Sequence, residues 1–346
     1  MGLQITKVTG TRDELHFGSV LQWSATMTTF LKKLSVLLLS LVPYHCFAQT
    51  PSEQPLQKQQ VLWDKLASQI RDTDKNLDGV MGVAIEDLAS GQKFFLREDD
   101  VFPQASSIKL AVLAELYHQN QLAAKGENGK AKLSDMYTVD TKDVVQDSDI
   151  MGGLTPGVTR ITNRDLATMM VAVSDNSAAN VLIDRVGMAN VNALLDSLGL
   201  MHTRLQRKMM DVKAASEGRE NISTPREMMT LLEQIYRGKV LNKEMTDDFL
   251  KMLSTHKSSP ISRDLPDGLK IADKPGELEG VRADSGIVFA QNRPYVISVM
   301  TTYLHNERAG EDAIARISVA AYQMFDRLGR ASEYGRVVST ANSSGH

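Results

Sequence analysis

The sequence predicts an α+β fold: an antiparallel sheet flanked by helices, with an all-helical subdomain beside it. Strand patterns occur near both ends of the folded region, at Val80 to Ile85 with Lys93 to Leu96, and at Gly286 to Phe289 with Tyr295 to Thr301. Helical spacing dominates the stretch between, from about Ile108 to Leu253. Early and late strands separated by helices suggest one sheet that closes late in the chain.

In chain order, Leu62 to Ile70 has the spacing of a first helix. Asp74-x-Asn76-x-Asp78-Gly79 matches the first half of a calcium loop, but its twelfth position is Ile85, so it reads as a turn into the first strand. Ser90-Gly91 joins that strand to the second. Two helices carry explicit start signals: Thr162 with Asp165, and Thr224-Pro225 with Glu227, each read as a capping box. Gln291 to Pro294 turns between the two late strands, and a last helix runs from about Gly310 to Leu328.

Composition narrows the function. The chain has 346 residues, 42% apolar, enough for the core of one large domain or two small ones. With 39 basic against 42 acidic residues and no basic block, a nucleic-acid platform is excluded. A single cysteine, Cys46, leaves no internal disulfide and no cysteine zinc site. The seven histidines form no metal-binding pair, so neither metal nor other cofactor is expected. Any activity must come from Ser, Lys, carboxylates and backbone donors.

The N-terminus reads as an address. Lys32-Lys33, an apolar run from Leu34 to Val42, then Cys46-Phe47-Ala48 match a secretory signal cut after Ala48. The run is too short for a permanent span, which takes ~20 apolar residues. The organisation expected is therefore 1–48 as upstream extension and signal peptide, 49–60 as a loose linker, 61–328 as a catalytic domain and 329–346 as a disordered tail. The product should be secreted or periplasmic, monomeric and without a stable transmembrane segment.

Chemistry is concentrated in Ser106-Ser107-Ile108-Lys109. Serine and lysine three apart share one helix face, and a desolvated lysine can accept the serine's proton. A second copy, Ser254-Thr255-His256-Lys257, reads as an ordinary polar helix end. Only the first follows Phe102-Pro103 and opens an apolar helix, Leu110 to Leu116. Downstream come Ser174-Asp175-Asn176 and Asp273-Lys274-Pro275-Gly276.

The order S-x-x-K, S-D-N, K-[ST]-G is the signature of penicillin-recognising serine enzymes, and the chain resembles a class A β-lactamase from about Val61 to Leu328. The resemblance implies a β-lactamase/transpeptidase-like fold. It implies Ser106 as the acylated nucleophile, Lys109 as its proton acceptor and Ser174 as proton donor to the leaving nitrogen. It further implies Asn176 on the substrate's side-chain amide, Lys274 as a cation near Ser174 and the substrate carboxylate, and the N–H groups of Ser106 and Glu277, just past Gly276, as an oxyanion hole. Asp175 is expected to fix the turn. Arg282 lies near the place of an arginine for the substrate carboxylate, with a solvated strand-end charge as the equal alternative.

Two departures stand out. The resemblance implies a water-activating glutamate after an R-x-x-R pair; here Arg204-Leu205-Gln206-Arg207 is followed by Lys208-Met209, with Met209 at the glutamate's place and Lys213 at a following asparagine's. A thioether cannot take a proton from water, which leaves Asp211 as the nearest carboxylate to serve. Pro275 also replaces the Ser/Thr of the third motif. The expected activity is a serine β-lactamase, opening β-lactams through an acyl-enzyme on Ser106 with slow or altered deacylation. The alternatives are a D-Ala-D-Ala peptidase or esterase, and a non-hydrolytic envelope protein binding penicillin or peptidoglycan-derived peptides.

Overall fold

The computed structural model describes residues 53–337. The expected signal segment, Cys46 and the last residues of the expected tail lie outside them. In chain order the helices are α1 (Glu53–Asn76), α2 (Lys109–Ala124), α3 (Asn163–Ala172), α4 (Asn176–Val186), α5 (Met188–Ser197), α6 (Val212–Ser216), α7 (Pro225–Tyr236), α8 (Lys243–Leu253) and α9 (Glu307–Arg330). The strands are β1 (Val80–Asp87), β2 (Lys93–Leu96), β3 (Phe102–Pro103), β4 (Met136–Thr138), β5 (Arg160–Thr162), β6 (Ile222–Ser223), β7 (Ile271–Leu278), β8 (Val281–Val288) and β9 (Tyr295–Thr302).

Five strands form one antiparallel sheet in the order β2-β1-β9-β8-β7. The central strands are apolar on both faces, because each face has its own core. Val83, Ile85, Ile297 and Val299 pack with Trp63 of α1 and Phe325 of α9. Ala84, Ala283, Ile287, Val296 and Met300 face the other way, toward α2, α4, α7 and α8. This period-2 division is what a strand buried between two layers requires. Gly82 shows how close the second layer comes: a Cβ there would lie 2.7 Å from both the Phe102 ring and Pro225.

The predicted helix starts hold with one difference. Thr162 and Asp165 make the full reciprocal box. Thr224 caps α7 by accepting the Glu227 N–H, but the Glu227 carboxylate does not return to it. Instead it accepts from His202 N–H and the Thr203 hydroxyl, tying α7 to the preceding loop. The first helix starts at Glu53, within the stretch read as linker, and the last continues to Arg330, into the stretch read as tail. Strand β7 is not among the strands the sequence predicts. Pro275 hides it in the sequence, yet β7 lies at the sheet edge, where a missing N–H is tolerated.

Candidate active site

A cavity of about 1060 Å³ opens where edge strand β7 meets the helical layer. Ser106 lines it from a short 3-10 turn, Ala105–Ile108, which runs directly into α2. The turn is fixed from below by Gln104, whose carbonyl and side-chain oxygens both accept the Ser107 hydroxyl. Strand β7 passes against this turn so closely that a Cβ on Gly276 would sit 2.4 Å from the Gln104 carbonyl oxygen. Only glycine allows that approach, which brings Glu277 and Ser106 onto one cavity wall.

Lys109 is 1% exposed. Its Nζ donates to the Ser174 carbonyl at 2.6 Å and to Asn176 Oδ1 at 2.8 Å, and lies 3.1 Å from Ser174 Oγ. Burial, with the Lys274 cation nearby, pulls its pKa well below the ordinary lysine value. In its neutral form the amine would give its two N–H groups to the two carbonyl oxygens and keep its lone pair for a proton. Ser174 sits at φ +57 in the turn before α4, a conformation rare for serine. The turn is over-determined by Asp175, which is fully buried and accepts N–H bonds from Ala178 and Met151, the structural part expected of it.

Lys274 reaches the same serine from the opposite side, donating to Ser174 Oγ at 3.1 Å and to its neighbour's carbonyl, Pro275 O, at 3.0 Å. Burial lowers its pKa to about 8, against the opposing pull of Asp284 and Asp273. Lys109, Ser174 and Lys274 thus form a continuous chain, and Ser174 and Lys274 line the same cavity as Ser106. Asn176 joins it through Lys109 and also donates to the Gln146 carbonyl at 3.3 Å, so both ends of its amide are engaged.

Two expected site residues are placed elsewhere. Arg282 does not line the cavity; its guanidinium donates to Glu311 of α9 and to the Leu278 and Val281 carbonyls. Asp211 also lies outside the lining, exposed, its carboxylate capping α6 through the Ala214 N–H at 2.9 Å. The cause lies two residues earlier. Asn180 on α4 clamps Met209 at both backbone groups, accepting its N–H at 2.7 Å and donating to its carbonyl at 3.0 Å. The buried Met209 lines the cavity, and Asp211 falls beyond it. The Arg207–Glu220 ion pair, 2.7 Å, closes this loop at its neck.

Lys257, from the dismissed second S-x-x-K copy, lines the cavity while Ser254 only caps the end of α8. Its side chain is 4% exposed and bonds Asp273 at 3.2 Å. The only available signal was its position ahead of β7, which the polar stretch around it concealed. Asn180 was equally missed, although S-D-N places it one helical turn past Asn176.

Comparisons with known proteins agree with this geometry. The "Beta-lactamase enzyme family" pattern matches residues 65–325. The chain is 27% identical over 277 residues to β-lactamase SME-1 of Serratia marcescens, covering 76% of this chain and 90% of that one. A crystal structure of a β-lactamase from Sphaerobacter thermophilus superposes with a TM-score of 0.67 at 29% identity, over 75% of this chain and 97% of the other. A variant of PBP-A, solved as an acyl-enzyme complex with penicillin G, does so with a TM-score of 0.67 at 26% identity, over 76% and 97%. The fold is the β-lactamase/transpeptidase-like one, with the antiparallel sheet and flanking helices that the motifs implied. With one unbroken match spanning sheet, helical layer and cavity alike, the chain belongs to the β-lactamase enzyme family.

Proposed function

We propose that the protein is a class A-type serine hydrolase that is acylated at Ser106 by β-lactams and releases the acyl group slowly. The observation that carries this is the chain Lys109–Ser174–Lys274 reaching the cavity that Ser106 lines, with Met209 on the same lining at the place where the resemblance puts the base. Ser106 Oγ attacks the β-lactam carbonyl carbon while its proton passes to neutral Lys109. The N–H groups of Ser106 and Glu277 receive the developing oxyanion. As the ring C–N bond breaks, Ser174 gives its proton to the nitrogen and is reprotonated from Lys109, which restores the neutral amine. Hydrolysis of the ester then needs a base within ~2.6–3.2 Å of a water, and Met209 offers none.

Export is part of the same reading: the chain is cut after Ala48 and acts as a monomer outside the cytoplasm on a small molecule. The Leu34 to Val42 run supports this, and among the described residues no helix is long and apolar enough to cross a membrane. N-terminal sequencing of envelope protein should begin near Gln49; a retained Met1 or Met27 would refute the export step.

Intact-mass spectrometry after mixing with benzylpenicillin tests the chemistry. The expected result is a lasting adduct on Ser106, because deacylation lacks the factor of about 10²–10⁴ that a positioned base normally supplies. Return to free mass without a detectable adduct would refute slow deacylation. No adduct with any β-lactam would redirect the site to D-Ala-D-Ala peptides or esters.

A further inference from the structure

The cavity wall next to β7 holds two buried lysines, Lys257 and Lys274, with the exposed hydroxyl of Ser258 beside them. Two carboxylates, Asp273 and Asp284, stand close by on the paired strands β7 and β8. Asp273 pairs with Lys257 at 3.2 Å. Asp284 is fully buried, accepts the Ile261 N–H at 3.0 Å, and is pushed well above the usual carboxylate range by that burial and by Asp273. One oxygen of each carboxylate, Asp273 Oδ2 and Asp284 Oδ1, is buried without a partner. Both lysines line the cavity, whereas neither carboxylate does.

The donors are also available. Lys257 Nζ has three N–H groups; the Leu253 carbonyl at 2.7 Å and Asp273 take two. Arg282 supplies nothing here, being held by Glu311. The acids at the cavity mouth, Asp147, Asp149, Glu277 and Glu279, are exposed, so solvent screens them more than it screens the buried lysines.

We infer that Lys257, with Lys274 and Ser258, forms the anion site that holds a substrate carboxylate, so that the second S-x-x-K copy contributes a substrate-binding lysine and no nucleophile. This assignment rests on the acylation reading above. It predicts a preference for substrates with a free carboxylate, carried by a residue outside the three motifs.

The test compares acylation by benzylpenicillin and by its uncharged methyl ester, followed by intact mass. Removing Lys257 alone would strand Asp273, so the variants are Lys257→Arg and the double Lys257→Met, Asp273→Asn. Loss of one charge-assisted contact should cut the acid-over-ester preference about tenfold or more in the double variant, while Lys257→Arg keeps most of it. Equal losses on both compounds, or an unchanged preference, would overturn the assignment. If the unaltered protein is acylated by neither compound, the serine reading has failed, and sulfate decides this one. Sulfate should raise the wild-type melting temperature more than the double variant's, at matched ionic strength, and equal shifts would overturn it.

Discussion

Lys109 and Lys274 are both lysines buried against Ser174, yet they carry opposite charge states in the reaction. Lys109 must be neutral to accept the Ser106 proton, and burial beside a second cation favours that form. Lys274 must stay charged, and its pKa near 8 leaves it protonated at neutral pH. Acylation should therefore rise with pH as Lys109 loses its proton, then fall as pH passes about 8 and Lys274 loses its own. In Lys274→Arg, whose guanidinium does not titrate, the alkaline fall should vanish or move beyond pH 10. An unchanged fall near pH 8 in that variant would assign it to another group. Met209 sets the second test at this scale. Met209→Glu should shorten adduct life, whereas Asp211→Asn should leave it within about twofold, because Asp211 caps α6 away from the cavity. The three motifs made Ser106, Lys109, Ser174 and Lys274 legible in the sequence, since spacing on a helix or turn fixes their geometry locally. The directions of Asp211, Arg282 and Lys257 were not legible, because they depend on partners distant in sequence: the Asn180 clamp, Glu311 of α9 and Asp273 of β7.

At the scale of elements, the site exists where β7 crosses the 3-10 turn ahead of α2. Gly276 makes that crossing possible, and the nearest atoms an added Cβ would strike are backbone, which cannot swing aside. Gly276→Ala should force β7 outward, separating Glu277 from Ser106, and acylation should drop by at least tenfold while Lys109 and Ser174 remain bonded. A Gly276→Ala protein acylated at the normal rate would show that the two N–H groups do not act together. Helix starts such as Thr162 and Thr224 were readable because capping is local chemistry. Strand β7 was not, because Pro275 argues against a strand unless its edge position is known. The loop between Arg207 and Glu220 was readable as a motif but not as a shape. Its path depends on the Asn180 amide and on Asn221, whose Oδ1 accepts the N–H groups of Gln206 and Arg207.

For the whole molecule, the sheet separates a stability core from the chemical one. Strand β1 pairs with β9, so the sheet is completed only after the helical layer has been laid out in the chain. On the far face, Phe325 of α9 stacks on Tyr295 with ring centroids 4.2 Å apart and meets Trp63 of α1 edge-on at 5.6 Å. None of these three rings lines the catalytic cavity. Phe325→Ala removes the ring that joins both terminal helices to the sheet, at a cost of about 3–5 kcal/mol for a buried Phe truncated to Ala. In a domain of this size that should lower the melting temperature on the order of 10 °C. The acylation rate of Ser106, measured at 15 °C where the variant is still folded, should stay within about twofold of the wild type, because sites this far apart on opposite sheet faces contribute independently. A rate that falls in step with stability, well below the melting point, would mean that the α1–α9 layer sets the position of β7, and that the two faces of the sheet act as one unit.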